Sequence, residues 1–226
     1  FCSKYSHRCM VHFYGFLKEK DKIIGFVYEF MSNGTLESFI KSNQKLDEIY
    51  QLMIISRIYK AIYYLHSNFL IHRDLKPSNI LLDHDFLPYV SDFETIRPIK
   101  SKTYEQSKNM YTYEIGSLYY VSPEQFYGLD ISYSTDIYSF GLIIYFILEK
   151  RNLIVINDLA PCFVNDNTCI KFENTSFKSI FQLCSKCIKK EPTNRISLLN
   201  IKKNIIEEFN QFDYIELYFV TTKRIN

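Results

Sequence analysis

His72-Arg73-Asp74-Leu75-Lys76-Pro77-Ser78-Asn79 is the stretch that decides how this chain is read. A carboxylate, an ammonium and an amide follow one another in a short span between a long helical pattern and a strand-like run. Asp74 can accept a proton from an attacking hydroxyl, or orient it. Lys76 can neutralise negative charge on a group in flight. Asn79 offers an oxygen to a hard cation such as Mg²⁺, which prefers oxygen ligands. Taken alone, the same residues also fit a charged surface turn, so the surroundings decide.

Upstream, apolar residues recur at helical spacing from Leu46 to His66, which predicts a long, largely buried helix. Ser32-Asn33-Gly34 is a turn signal, and Thr35 is placed to cap a short helix reaching Ile40. Two β-branched and aromatic runs, 10–17 and 23–30, predict antiparallel strands around the polar stretch Lys18–Lys22. Downstream, 80–82 and 87–91 read as short strands about a turn at Asp83-His84-Asp85, and Asp92-Phe93-Glu94 follows directly. The polar segment 94–115 has no periodicity and reads as a loop. Thr135–Glu149 is apolar nearly all round, as expected of a helix inside a core, whereas Phe177–Ile188 and Ser197–Phe209 are amphipathic. The residues 212–226 alternate apolar and polar. Two strands followed mainly by helices make the fold class α+β.

Composition narrows the function classes. The chain is 47% hydrophobic and 23% charged, an ordinary globular balance. Its 27 basic residues nearly match 25 acidic ones, so charge gives no reason to expect nucleic acid as a partner. The longest apolar run, Phe140–Leu148 broken by Gly141, is far short of the ~20 residues of a membrane span. No basic-then-apolar leader opens the chain, and six cysteines do not make a disulfide scaffold at this length. A reducing, cytoplasmic compartment is the expectation. Cys184 and Cys187 could form half a zinc site with Cys162 and Cys169, but an i, i+3 pair on an amphipathic helix reads more simply as core. His12, His66 and His84 have no partners at ligand spacing and read as packing or surface groups.

Together these stretches resemble a eukaryotic protein kinase domain. Residues 72–79 match the catalytic-loop pattern H-R-D-L-x-x-x-N, and Asp92-Phe93-Glu94 matches D-F-G except at its third position. Ser122-Pro123-Glu124 stands where A-P-E is usual, and Asp136-Ile137-Tyr138-Ser139-Phe140-Gly141 resembles the family's buried central helix. The aromatic third position of that helix resembles the tyrosine-kinase-like group, while Lys76-Pro77 is similar to the Ser/Thr signature. The resemblance runs from about residue 5 to about residue 210. No Gly-rich phosphate loop and no V-A-I-K strand are present, and both are expected upstream of Phe1, which is not a Met.

The resemblance implies a protein-kinase-like fold: a partial small lobe at 1–31 (two strands and a hinge), a mostly helical large lobe at 32–211, and a tail at 212–226. It implies transfer of the ATP γ-phosphate to Ser/Thr hydroxyls of protein substrates, with Mg²⁺. Asp74 would be the base or orienting group, Lys76 the charge stabiliser, and Ser117 the hydroxyl that braces both. Asn79 and Asp92 would hold the metal. The backbone of Glu29 and Met31 would meet adenine, Leu81 would lie under the ring, and Tyr28 would be the gatekeeper. Glu124 would pair with Arg195, Asp136 would hold the catalytic loop, and Arg73 would answer a phosphate among Thr103, Tyr104, Tyr111, Thr112 and Tyr113. Glu94 is expected to strain a backbone site where the family has Gly, and to add charge near the triphosphate. Both effects point to the alternative, a pseudokinase-type binding or scaffold module.

Overall fold

A computed structural model describes residues 4–42, 46–99, 117–153, 170, 172–173 and 178–210. It has an α+β, protein-kinase-like fold. Strands β1 (Phe13–Glu19) and β2 (Lys22–Tyr28) form an antiparallel ribbon, with Phe16 opposite Phe26 and Glu19 opposite Lys22. The turn is tighter than the sequence suggests. Lys20 and Asp21 both take positive φ (45° and 66°), as a two-residue turn that matches strand twist requires. The residues before β1 leave the ribbon altogether: Val11 N donates to Val90 O and Val90 N to Cys9 O, both at 2.9 Å.

After β2 the chain crosses to α1 (Leu36–Lys41), which Thr35 caps by accepting from Ser38 N. Asp47 caps α2 (Glu48–Ser67) in the same way through Tyr50 N. One face of α2 buries Leu52, Ile55, Ile58, Ile62 and Leu65. Strand β3 (Leu70–Ile71) pairs with β6 (Arg97–Pro98), and β4 (Ile80–Leu82) pairs with β5 (Pro88–Val90). The Asp83 carboxylate holds the β4–β5 turn by accepting from Asp85 N and Leu87 N. Strand β6 falls within the stretch read from sequence as loop. A two-residue strand carries no periodicity, and only its partner β3 defines it.

The rest is helical: α3 (Pro123–Phe126), α4 (Tyr133–Glu149), α5 (Lys178–Cys187) and α6 (Leu198–Phe209). Helix α4 runs through the core, with Tyr138, Phe140, Ile143, Ile144 and Ile147 wholly buried. Gly141 lets α5 press against it. A Cβ there would sit 2.6 Å from Cys187 Cβ and 2.8 Å from Ile188 Cγ1. Cys184 and Cys187 are free, buried thiols on that contact, and Cys184 Sγ donates to Gly141 O at 3.1 Å. Among the described residues no cluster fit to hold zinc exists, while Cys162 and Cys169 lie outside them. Among the described residues, no helix is long and apolar enough to cross a membrane.

Candidate active site

The loop at 72–79 is held from below by one carboxylate. Asp136, in the first turn of α4, accepts from His72 N (2.9 Å) and His66 Nε2 (2.8 Å) on Oδ2, and from Arg73 N (3.0 Å) on Oδ1. Burial by itself would raise this carboxyl. The hydrogen bond and charge of His66, the charge of His72 and the Arg73 N–H outweigh it and hold Asp136 below the usual carboxylate range. Arg73 sits at φ 74°, a left-handed conformation that costs a side-chain-bearing residue about 1–3 kcal/mol. Both flanking peptide groups are fixed: Asp136 takes its N–H, and Gln125 Nε2 donates to its carbonyl at 2.7 Å. The strain is thus retained by tertiary contacts, and Asp74 is aimed by it.

The side chains that follow form one connected set. Lys76 Nζ lies 2.9 Å from Asp74 Oδ2. Asn79 Nδ2 donates to the same Asp74 oxygen at 2.9 Å, to Asp74 O at 2.8 Å, and to Asp92 Oδ2 at 3.2 Å. These contacts fix the Asn79 amide flip, so that its oxygen is the atom that could meet a cation. Asp74 and Lys76 are partly exposed, at 28% and 18%, so a substrate can reach them. Asp92 is delivered from the end of β5. Ser91 N and Oγ both donate to Asn79 O at 2.9 Å, and His72 Nε2 meets Ser91 O at 2.9 Å. Asp92 takes φ 59°, a left-handed conformation in which Asp is enriched. Phe93 is buried behind it.

The family model described as protein kinase domain matches residues 1–207. The chain belongs to the protein kinase family. A probable serine/threonine-protein kinase of Clostridium acetobutylicum is 28% identical over 202 residues, covering 82% of this chain and 30% of that protein. Serine/threonine-protein kinase PrkC of Bacillus subtilis is 34% identical over 149 residues, covering 66% of this chain and 22% of that protein. Mitogen-activated protein kinase kinase 1c of Physcomitrium patens is 27% identical over 207 residues, covering 85% and 58%. The kinase chain therefore spans less than two thirds of the length of each of these curated relatives.

Two expectations for this kinase domain need correction. Glu94 does not strain the backbone, since it is absent from the positive-φ residues. Its side chain is exposed, and its carbonyl accepts from Arg97 Nη1 at 2.7 Å. The position the family gives to Gly is here one that any residue can occupy, so the strain argument for a pseudokinase falls. His66 is a positioning group, not mere packing. Its partner lies on another helix far along the chain, and no local pattern could reveal that. His12 meets Tyr14 edge-on, and His84 pairs at the surface with Asp85.

The proposed adenine-side residues lie where β2 hands over to β4. Glu29 N donates to His12 O at 2.9 Å, Met31 is buried, and Asn33 N and Gly34 O bond Leu82. Leu81 is half-buried and bridges Thr35. The Tyr28 ring lies 6.0 Å from that of Phe93. The side chain of Ser117 lies outside the described residues, as do the candidate phosphate acceptors at 103–113.

The Glu124–Arg195 pair forms as a buried two-pronged bridge, at 2.6 and 2.7 Å. Burial would raise the Glu124 carboxyl, but the Arg195 hydrogen bonds and charge bring it below its ordinary value. The pair ties α3 to the turn at Pro192–Asn194.

Proposed function

We propose that this chain is the catalytic core of a serine/threonine protein kinase, transferring the ATP γ-phosphate to protein hydroxyls. The observation that carries this reading is the hydrogen-bonded set Asp74–Lys76–Asn79–Asp92, built from two separate segments. Asp74 orients the substrate hydroxyl and takes its proton as the oxygen bonds to the γ-phosphorus and the bond to the ADP oxygen breaks. Lys76 faces the charge that spreads over the transferring oxygens. Asn79 and Asp92 supply an all-oxygen donor set that suits Mg²⁺. When bound, that ion neutralises charge on the nucleotide phosphates. Catalysis is then largely positioning and electrostatics.

Met31 and the Glu29 carbonyl serve adenine in this reading, with Leu81 beneath the ring, and Ser117 braces the catalytic pair. Tyr138 and Phe140 in α4 favour the tyrosine-kinase-like branch of Ser/Thr kinases. The free thiols Cys9, Cys184 and Cys187 suit an intracellular setting.

Thermal shift with ATP, with and without Mg²⁺, tests the site on this chain and on Asp92→Ala. The expected result is stabilisation that needs Mg²⁺ and disappears in the variant. Labelled ATP with a mixed hydroxyl-peptide library should then yield phosphoserine and phosphothreonine, lost in Asp74→Asn. A folded protein showing no Mg²⁺-dependent shift, or phosphotyrosine alone, would sink the proposal.

A further inference from the structure

A groove of about 550 Å³ opens between α2 and α6, and it shares no residue with the candidate active site. That is the size of sites that enclose small molecules, roughly 300–1,000 Å³. One wall is aromatic: the His7 imidazole stacks on Tyr64, with centroids 4.8 Å apart and planes within 19°. Burial, then the Arg8, Arg57 and Lys60 charges, lower the His7 pKa, so this ring is a neutral stacking surface at pH 7. The opposite wall, Ile205 and Phe209 of α6, is apolar.

Two polar features point to an occupant. The Tyr59 hydroxyl is buried in a residue only 6% exposed and has no hydrogen-bond partner. Burial, then Tyr63, pushes its pKa up to about 12, so it remains an O–H donor. Arg8, Lys60 and Lys202 also line the groove, and no Asp or Glu does among the described residues. Lys60 forms no ion pair among them. Its ammonium pKa is lowered, chiefly by desolvation; Cys9 opposes the shift, and the like charges of Arg8 and Arg57 add to it. An uncompensated cation and an unpartnered buried donor that line one groove favour an acceptor-only, negatively charged group.

We propose that this groove binds a small amphipathic anion, a flat aromatic body bearing a carboxylate. The body lies against the His7–Tyr64 stack and Phe209, and the carboxylate meets Lys60 and accepts from the Tyr59 hydroxyl.

The test titrates 2-naphthoate and its neutral isostere 2-naphthamide into the full chain, followed by ligand-observed NMR and calorimetry. Naphthoate is expected to bind about tenfold more tightly than the amide, as one charge-assisted hydrogen bond provides. Lys60→Gln should abolish that preference, and Tyr59→Phe should weaken naphthoate several-fold while leaving the amide unchanged. Lys60 is exposed, so Lys60→Gln should keep the wild-type melting curve, and Tyr59→Phe, which removes an unbonded buried oxygen, should melt no lower than wild type. The proposal is overturned by equal affinity for the two ligands, by no binding of either at millimolar concentration, or by naphthoate binding indifferent to both substitutions in folded protein. Failure with both ligands would leave the groove to a larger occupant, such as an acidic peptide or a second copy of the chain.

Discussion

Replacing Arg195 by Ala tests the energetics of this fold at its most concentrated point. The guanidinium is wholly buried and the Glu124 side chain is 3% exposed. Besides the two-pronged bridge, Arg195 donates to Ser134 O (2.9 Å), Lys189 O (2.8 Å) and Lys190 O (3.0 Å), and its guanidinium lies 4.7 Å from the centre of the Tyr138 ring. Truncation leaves a buried carboxylate whose remaining side-chain partner is Thr135 Oγ1, at 2.9 Å. Breaking one side of a buried pair costs about 3–5 kcal/mol. For a chain of this size that is a fall in melting temperature of roughly 10 °C. The pH dependence sharpens the test. In the wild type the folded Glu124 pKa lies below its ordinary 4.5, so the pair contributes stability above that value and loses it as pH falls through the folded pKa. Without Arg195 burial dominates and the folded pKa moves above the ordinary value, so protonation relieves the variant. Its deficit should be largest at pH 7 and shrink towards about pH 5. Urea denaturation of both proteins at the two pH values, read as midpoints at equal slope, measures this. A deficit under about 1 kcal/mol at pH 7, or one unchanged at the lower pH, would refute the reasoning, because it would make the pair no stronger than a surface salt bridge.

Other outcomes follow from single contacts. Asp136→Asn puts an amide N–H where a backbone N–H or His66 needs an acceptor. It should cost about 1–3 kcal/mol and free Arg73 from its left-handed conformation, seen as faster amide exchange at residues 72–74. Gly141→Ala gains about 1 kcal/mol of helix propensity but drives its Cβ into Cys187 and Ile188. The net should be a loss of about 1–2 kcal/mol of stability, read from the denaturant midpoint. Glu94→Gly relieves no backbone strain, so it should lower stability by up to about 1 kcal/mol through the unfolded chain. A gain in Mg²⁺-dependent ATP affinity in that variant would be electrostatic and should fade with added salt.

The sequence by itself determined the longer elements and the chemistry that depends on neighbours in the chain. Thr35 was readable as a helix start, since a cap acts within three residues. Asp74, Lys76 and Asn79 were legible because one short loop carries them all. Asp136, Glu124 and Arg195 were legible only through the family resemblance, since no local physical signal links residues so far apart. Tertiary structure alone decided the rest. His66 becomes a positioning group because α2 and α4 cross, and Glu94 escapes strain because of the φ it adopts. The groove exists because α6 packs beside α2 without filling the space between Tyr59 and Phe209. A sequence period reports which face of an element is apolar. Which charge or hydroxyl is left without a partner depends on how those faces meet, and that is a property of the packed chain.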